Sequence, residues 1–136
     1  MRACERVAVN EKNTHLDVTT RVWPIISDSE IADVLGRLEH PLAGTPLTVS
    51  NRPTTAGILV DVGPRTVFIK RHGPRTVPAD HLRAVHGLVA HVRDRGIPTP
   101  ALLRFADHDT LWETPAGTWE VYEGAQGEDR YRDAPT

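Results

Sequence analysis

The sequence predicts an α+β domain in which one antiparallel β-sheet packs with two helices. Two amphipathic stretches indicate the helices, and short alternating segments rich in Val, Ile, Thr and Phe indicate about five strands. The chain has 136 residues, of which 39% are hydrophobic and 25% are charged. These values are typical of a single globular domain.

The composition narrows the classes of partner that we expect. Residues 1–22 show no helical or strand period and are interpreted as an irregular leader. They lack the apolar core of a signal peptide, and no stretch of the chain is apolar enough to span a membrane. A net charge of -2 gives no basic excess for nucleic acid, and Cys4 is the only cysteine. We therefore expect a cytoplasmic protein without nucleic-acid or membrane partners.

A capping box opens the first predicted helix. Ser27 can accept a hydrogen bond from the Glu30 amide, while the Glu30 carboxylate can accept one from the Ser27 amide. Apolar residues then recur at the spacing of one helical face: Ile31, Val34, Leu35 and Leu38. His40 and Pro41 end this pattern, so the helix is expected over 28–39.

Three strands are predicted after this helix, over 46–50, 57–62 and 66–71. The turn residues 63–65 favour a hairpin between the second and third strands. The first strand is expected to pair with the second across the loop 51–56.

The second helix is predicted over 78–95, followed by three more strands over 101–106, 110–113 and 118–123. One apolar stripe runs along this helix: Leu82, Val85, Leu88, Val89 and Val92. Three histidines of the helix are spaced by five, which points them in different directions, so they are expected at its surface or edge and not on one metal: His81, His86 and His91.

Four features in sequence order carry a family resemblance. The strand 66–70 ends in a lysine, and a helix and an Arg-Gly-Ile-Pro-Thr-Pro turn at 95–100 follow. The strand Trp-Glu-Val-Tyr-Glu at 119–123 then runs into a glycine, and Tyr-Arg-Asp-Ala stands at 131–134. Together they resemble the amino-terminal lobe of the aminoglycoside phosphotransferase and choline kinase-like superfamily. This resemblance makes 23–127 the lobe and 128–136 a polar tail, the start of an absent second lobe.

The resemblance implies a site for ATP with Mg²⁺. Lys70 would hold the α and β phosphates, as the third-strand lysine of kinases does. Phe68 would lie over the adenine, although plain core packing is an equal alternative. The loop after the first strand, with Ser50 and Asn51, would cover the phosphates. Backbone groups of Glu123 and Ala125, in the segment that matches the hinge, would read the adenine edge.

Two departures from the family limit this expectation. Val85 stands where active relatives carry the helix glutamate that pairs with the strand lysine, and the catalytic loop and metal-binding aspartate of the second lobe do not occur. We therefore expect no turnover from this chain alone, as a truncated or split form whose partner is a second-lobe chain or another copy of itself. The alternative is a non-catalytic interaction or scaffold module with the same fold.

Overall fold

The computed structural model describes residues 24–51 and 54–124. The expected leader 1–22, the tail 128–136 and Ala125 lie outside these residues. The chain forms the helices α1 (Asp28–Gly36) and α2 (Ala79–Asp94) and the strands β1 (Thr45–Asn51), β2 (Thr55–Asp61), β3 (Thr66–His72), β4 (Trp112–Thr114) and β5 (Gly117–Glu123). Neither helix in this part of the chain is long and apolar enough to cross a membrane.

The five strands form one antiparallel sheet in the order β1-β2-β3-β5-β4. The predicted α+β class is confirmed, as are the β2–β3 hairpin and the pairing of β1 with β2. In register, Lys70 of β3 lies between Gly57 of β2 and Glu120 of β5. Paired residues share a face of the sheet, so these three positions belong to the same face.

One face of the sheet carries the main apolar core. Because strand side chains alternate, Val67 and Ile69 of β3 share this face with Trp119 and Val121 of β5. The helix α1 packs here with three buried residues that follow its predicted stripe, Ile31, Val34 and Leu35. The helix ends at Gly36, earlier than predicted, because Leu38 already forms a β-bridge with Phe105.

The start of α1 is fixed by the predicted capping box and by a buried arginine. The Ser27 amide donates to Glu30 Oε1 at 3.0 Å, and the Glu30 amide donates to Ser27 Oγ at 3.2 Å. Glu30 Oε2 also accepts from Arg71 Nη1 at 3.0 Å, and the same guanidinium donates to the Pro24 carbonyl. Arg71 is only 5% exposed, so these acceptors compensate a buried charge.

The helix α2 covers the opposite face of the sheet. Its buried residues are Leu82 and His86, whereas Val85 is 40% exposed and Leu88 is 62% exposed. The predicted apolar stripe is therefore only partly buried. The sheet beneath the helix carries Glu120, so the helix presents a histidine to it and leaves apolar residues outside.

The predicted strand 101–106 is absent. Residues 101–103 do hydrogen-bond to β5, with a bridge between Leu102 and Tyr122, but Phe105 bridges Leu38 instead, so the segment does not form one continuous strand. The following strand begins at Trp112, later than predicted. The residues before this strand form a turn, in which the amides of Thr110 and Leu111 donate to the Asp109 carboxylate.

We expect Leu35→Ala to lower the free energy of unfolding by about 2–5 kcal/mol, because it opens a cavity in the main core. Leu88→Ala is the matched control, since both leucines are helical but Leu35 is 0% exposed and Leu88 62%. Urea denaturation followed by circular dichroism measures both. Equal losses in the two variants would show that α1 does not carry the core.

Candidate functional site

A hollow of about 370 Å³ lies on the face of the sheet that α2 covers. Its walls come from three adjacent strands: Ser50, Thr55, Gly57, Phe68 and Lys70. Three of the residues that the family resemblance selected, Ser50, Phe68 and Lys70, are therefore brought together by the register of β1, β2 and β3.

Gly57 shapes the floor of this hollow. A Cβ atom at this position would collide with the Phe68 ring, so only glycine lets the ring lie directly over β2. Phe68 is half-buried and is not a member of the main core cluster. Its ring borders an open cavity, which is the arrangement that stacking on a planar ligand needs.

Lys70 supplies the positive charge of the hollow. Its side chain is half-buried, and within the described residues it has no carboxylate at salt-bridge distance. Burying part of a lysine without an anion costs free energy, which a bound anion would offset. An anionic group in the hollow therefore has a cation to bind.

Of the remaining selected residues, only Glu123 is fully described. The Glu123 amide donates to the Ala101 carbonyl at 2.8 Å, and its carboxylate binds Arg65 at 3.0 Å, so neither group lines the hollow. Asn51 ends β1, and its side chain lies outside the described residues, as does Ala125. The structure thus describes the phosphate end of the expected site and one backbone position of the hinge.

A buried carboxylate beside the hollow was missed by sequence reasoning. Glu120 is 2% exposed, and its Oε2 accepts from His72 Nε2 at 3.3 Å and from His86 Nε2 at 3.0 Å. These three residues join β5, β3 and α2. The sequence did offer one signal. Glu120 stands between Trp119 and Val121 in a predicted strand, which is an unusual place for a charged residue.

The surroundings of Glu120 keep it ionised. Burial raises its pKa, but hydrogen bonds from His72, His86 and Tyr122 act in the opposite direction and outweigh burial, so the pKa lies well below its ordinary range. Burial raises the pKa of Tyr122, and so do its hydrogen bond to Glu120 and the charge of that carboxylate. At neutral pH the cluster therefore contains a carboxylate and a protonated phenol.

The expectation that His86 is a surface or edge residue is wrong. Its ring is 5% exposed, and its Nδ1 lies 2.6 Å from Thr110 Oγ1. His81 and His91 are exposed, as expected. The resemblance placed Val85 opposite Lys70. In the structure Val85 is exposed, and the neighbouring His86 is the residue of this turn that reaches the sheet.

Metal ligation has no support in this part of the chain. Among the described residues, no group of three or more His, Cys, Asp or Glu side chains has the arrangement to hold a metal ion. Within the same residues His72 Nδ1 is buried without a hydrogen-bond partner.

We expect Glu120→Gln to lower the free energy of unfolding at pH 7 by about 1.5–3 kcal/mol, because charge-assisted hydrogen bonds are lost. The folded-state pKa of Glu120 lies below its ordinary value of 4.5. Its ionised form therefore stabilises the fold above that pH, and this contribution is lost as the pH falls toward the depressed pKa. The difference between the two proteins should shrink in acid.

Urea denaturation between pH 3 and pH 7 measures this dependence. The control is Glu113→Gln, whose side chain is 60% exposed and whose loss should change stability by less than about 0.5 kcal/mol. A Glu120→Gln effect that stays constant over the whole pH range would contradict the ionised cluster.

No protein-family model matches this chain, and no curated protein matches it. The kinase-like interpretation consequently depends on the residues of the chain and on their geometry.

Proposed function

We propose that this chain is the nucleotide-covering lobe of an ATP-dependent phosphotransferase-like protein that acts on small-molecule hydroxyls, and that it is inactive alone. The observation that carries the proposal is Lys70, a half-buried cation without a carboxylate partner in the described residues, beside Phe68 in an open hollow. A third-strand lysine behind the connection of the first two strands is the arrangement by which kinases hold nucleotide phosphates.

The spacing along β3 supports a nucleotide. Phe68 and Lys70 lie on the same face of β3, two residues and about 7 Å apart. A base stacked on Phe68 and a triphosphate at Lys70 fit this distance.

The described residues fit ATP better than they fit Mg²⁺. Lys70 provides the phosphate charge and Phe68 an aromatic surface, whereas no described cluster can hold a metal. Phosphoryl transfer needs a positioned base and neutralisation of the developing charge, both assigned in kinases to residues of the second lobe. We therefore expect nucleotide binding without turnover.

The neighbourhood of Lys70 favours a weak site. In kinases a helix glutamate orients the lysine. Here the helix contributes His86, and the nearby carboxylate of Glu120 is already engaged by two histidines. A lysine that is not held in one orientation pays more conformational entropy on binding.

We expect Mg-ATP to bind with a Kd in the millimolar range and Lys70→Ala to weaken binding by at least about tenfold, because the charged hydrogen bonds to phosphate are lost. Isothermal titration calorimetry is the suitable measurement, since Trp112 and Trp119 belong to the opposite side of the sheet and would report poorly.

Lys12→Ala is the control, because Lys12 and Lys70 are the only lysines in the sequence. It should leave the affinity unchanged. Equal weakening in both variants, or no binding by the unaltered chain at 10 mM nucleotide, would refute a site at Lys70.

A second candidate function is a non-catalytic interaction module, and the outer side of α2 favours it. Val85 and Leu88 lie one turn apart and are 40% and 62% exposed. Exposed apolar residues grouped on one helix are a common feature of association surfaces. The partner would be a second-lobe chain or a second copy of this chain.

If α2 carries this association, Leu88→Gln should shift the sedimentation equilibrium of the chain toward the monomer. The control is Leu47→Gln, an exposed leucine on the edge strand β1. A shift caused by Leu47→Gln alone would place the contact on the sheet edge, and a monomer at all concentrations would exclude self-association.

A further inference from the structure

A second cavity, also of about 370 Å³, lies between α2 and the segment 101–110. It shares no lining residue with the hollow at Lys70. Its volume is within the range of small-molecule sites, which is about 300–1,000 Å³. The charges and the walls of this cavity define what it can bind.

Five charged side chains line the cavity: Arg83, Arg93, Arg104, Asp94 and Asp109. One pair is internally neutralised, because Arg83 Nη2 lies 2.7 Å from Asp109 Oδ2. The hydrogen bond from Arg83 lowers the pKa of Asp109, which keeps this pair ionised. Of the other three charged residues, Arg93 and Arg104 are positive and Asp94 is negative, so the remaining net charge is positive.

The other two arginines are held by main-chain carbonyls. Arg93 Nη1 donates to the Thr99 carbonyl, and Arg104 Nη1 donates to the His108 carbonyl at 2.7 Å. Such bonds orient a guanidinium but do not cancel its charge. Since each guanidinium has five N–H donors, each keeps donors for an anion.

The rest of the lining combines an apolar wall with a fixed polar group. Val89, Ala90 and Leu102 provide the wall. His86 and Thr110 also line the cavity, and their mutual contact at 2.6 Å, together with the bond from His86 to Glu120, fixes the imidazole in place. A ligand would therefore meet a preformed surface, which reduces the entropy cost of binding.

We propose that this cavity is a binding site for a small organic anion, a carboxylate or a phosphate monoester with an aromatic or branched apolar body. The anionic group binds Arg93 and Arg104, and the apolar body packs on Val89 and Leu102. This site is separate from the nucleotide hollow and does not depend on the function proposed for Lys70.

The test is a titration of the full 15N-labelled chain with benzoate and with phenyl phosphate, followed by the amide shifts of residues around the cavity. We expect saturable shifts at Ala90 and Leu102 with at least one of the two anions, and the tighter one identifies the anionic group. Arg104→Gln should weaken binding by about tenfold, as expected for loss of a charge-assisted hydrogen bond.

Two controls separate a built site from general charge attraction. Arg75→Gln removes the same charge from an exposed turn that does not line the cavity, and it should change the affinity by less than about twofold. Phenol carries the same ring without the charge and should not bind. The proposal is overturned by equal weakening in both arginine variants, by equal binding of inorganic phosphate, or by no saturable shift at 10 mM of either anion.

Discussion

One buried carboxylate determines how the second helix meets the sheet. Glu120 lies in an otherwise apolar part of β5, and an ionised group there is stable only when donors replace its water. His72 supplies one donor from β3, His86 a second from α2 and Tyr122 a third from β5 itself. The same contacts fix the rotation of the helix, because His86 must face inward, and they place Val85 outside. Removal of this charge would change three elements at once.

The two faces of the sheet have different chemistry because strand residues alternate. On the α1 side, aliphatic residues and Trp119 form an apolar core. The one buried cation there, Arg71, is paired with Glu30. On the α2 side, Lys70 and Glu120 lie next to each other in register, yet the carboxylate binds histidines instead of the lysine. The lysine is thereby left with its charge uncompensated among the described residues. That arrangement is what makes the face suitable for an anionic ligand.

The sequence predicted the helices, the hairpin and the α+β class because each depends on local signals, such as the capping box at Ser27 and the turn at 63–65. It also selected Ser50, Phe68 and Lys70, which the register then brings together. The sequence-based predictions failed where the position of a residue depends on a contact with a residue distant in the chain. The burial of His86 depends on a glutamate 34 residues away, and segment 101–106 divides its bridges between Tyr122 and Leu38 instead of forming one strand.

The position of β5 within the sheet has a consequence for synthesis of the chain. Among the described strands it is the last to be synthesised, yet it pairs with β3 on one side and β4 on the other. Until it arrives, β3 has an open edge with Val67 and Ile69 ready to pair with any extended neighbour. Long-range pairing of this kind slows folding. The nascent chain therefore passes through a stage in which a chaperone, or mispairing with another copy, competes for the place that β5 later fills.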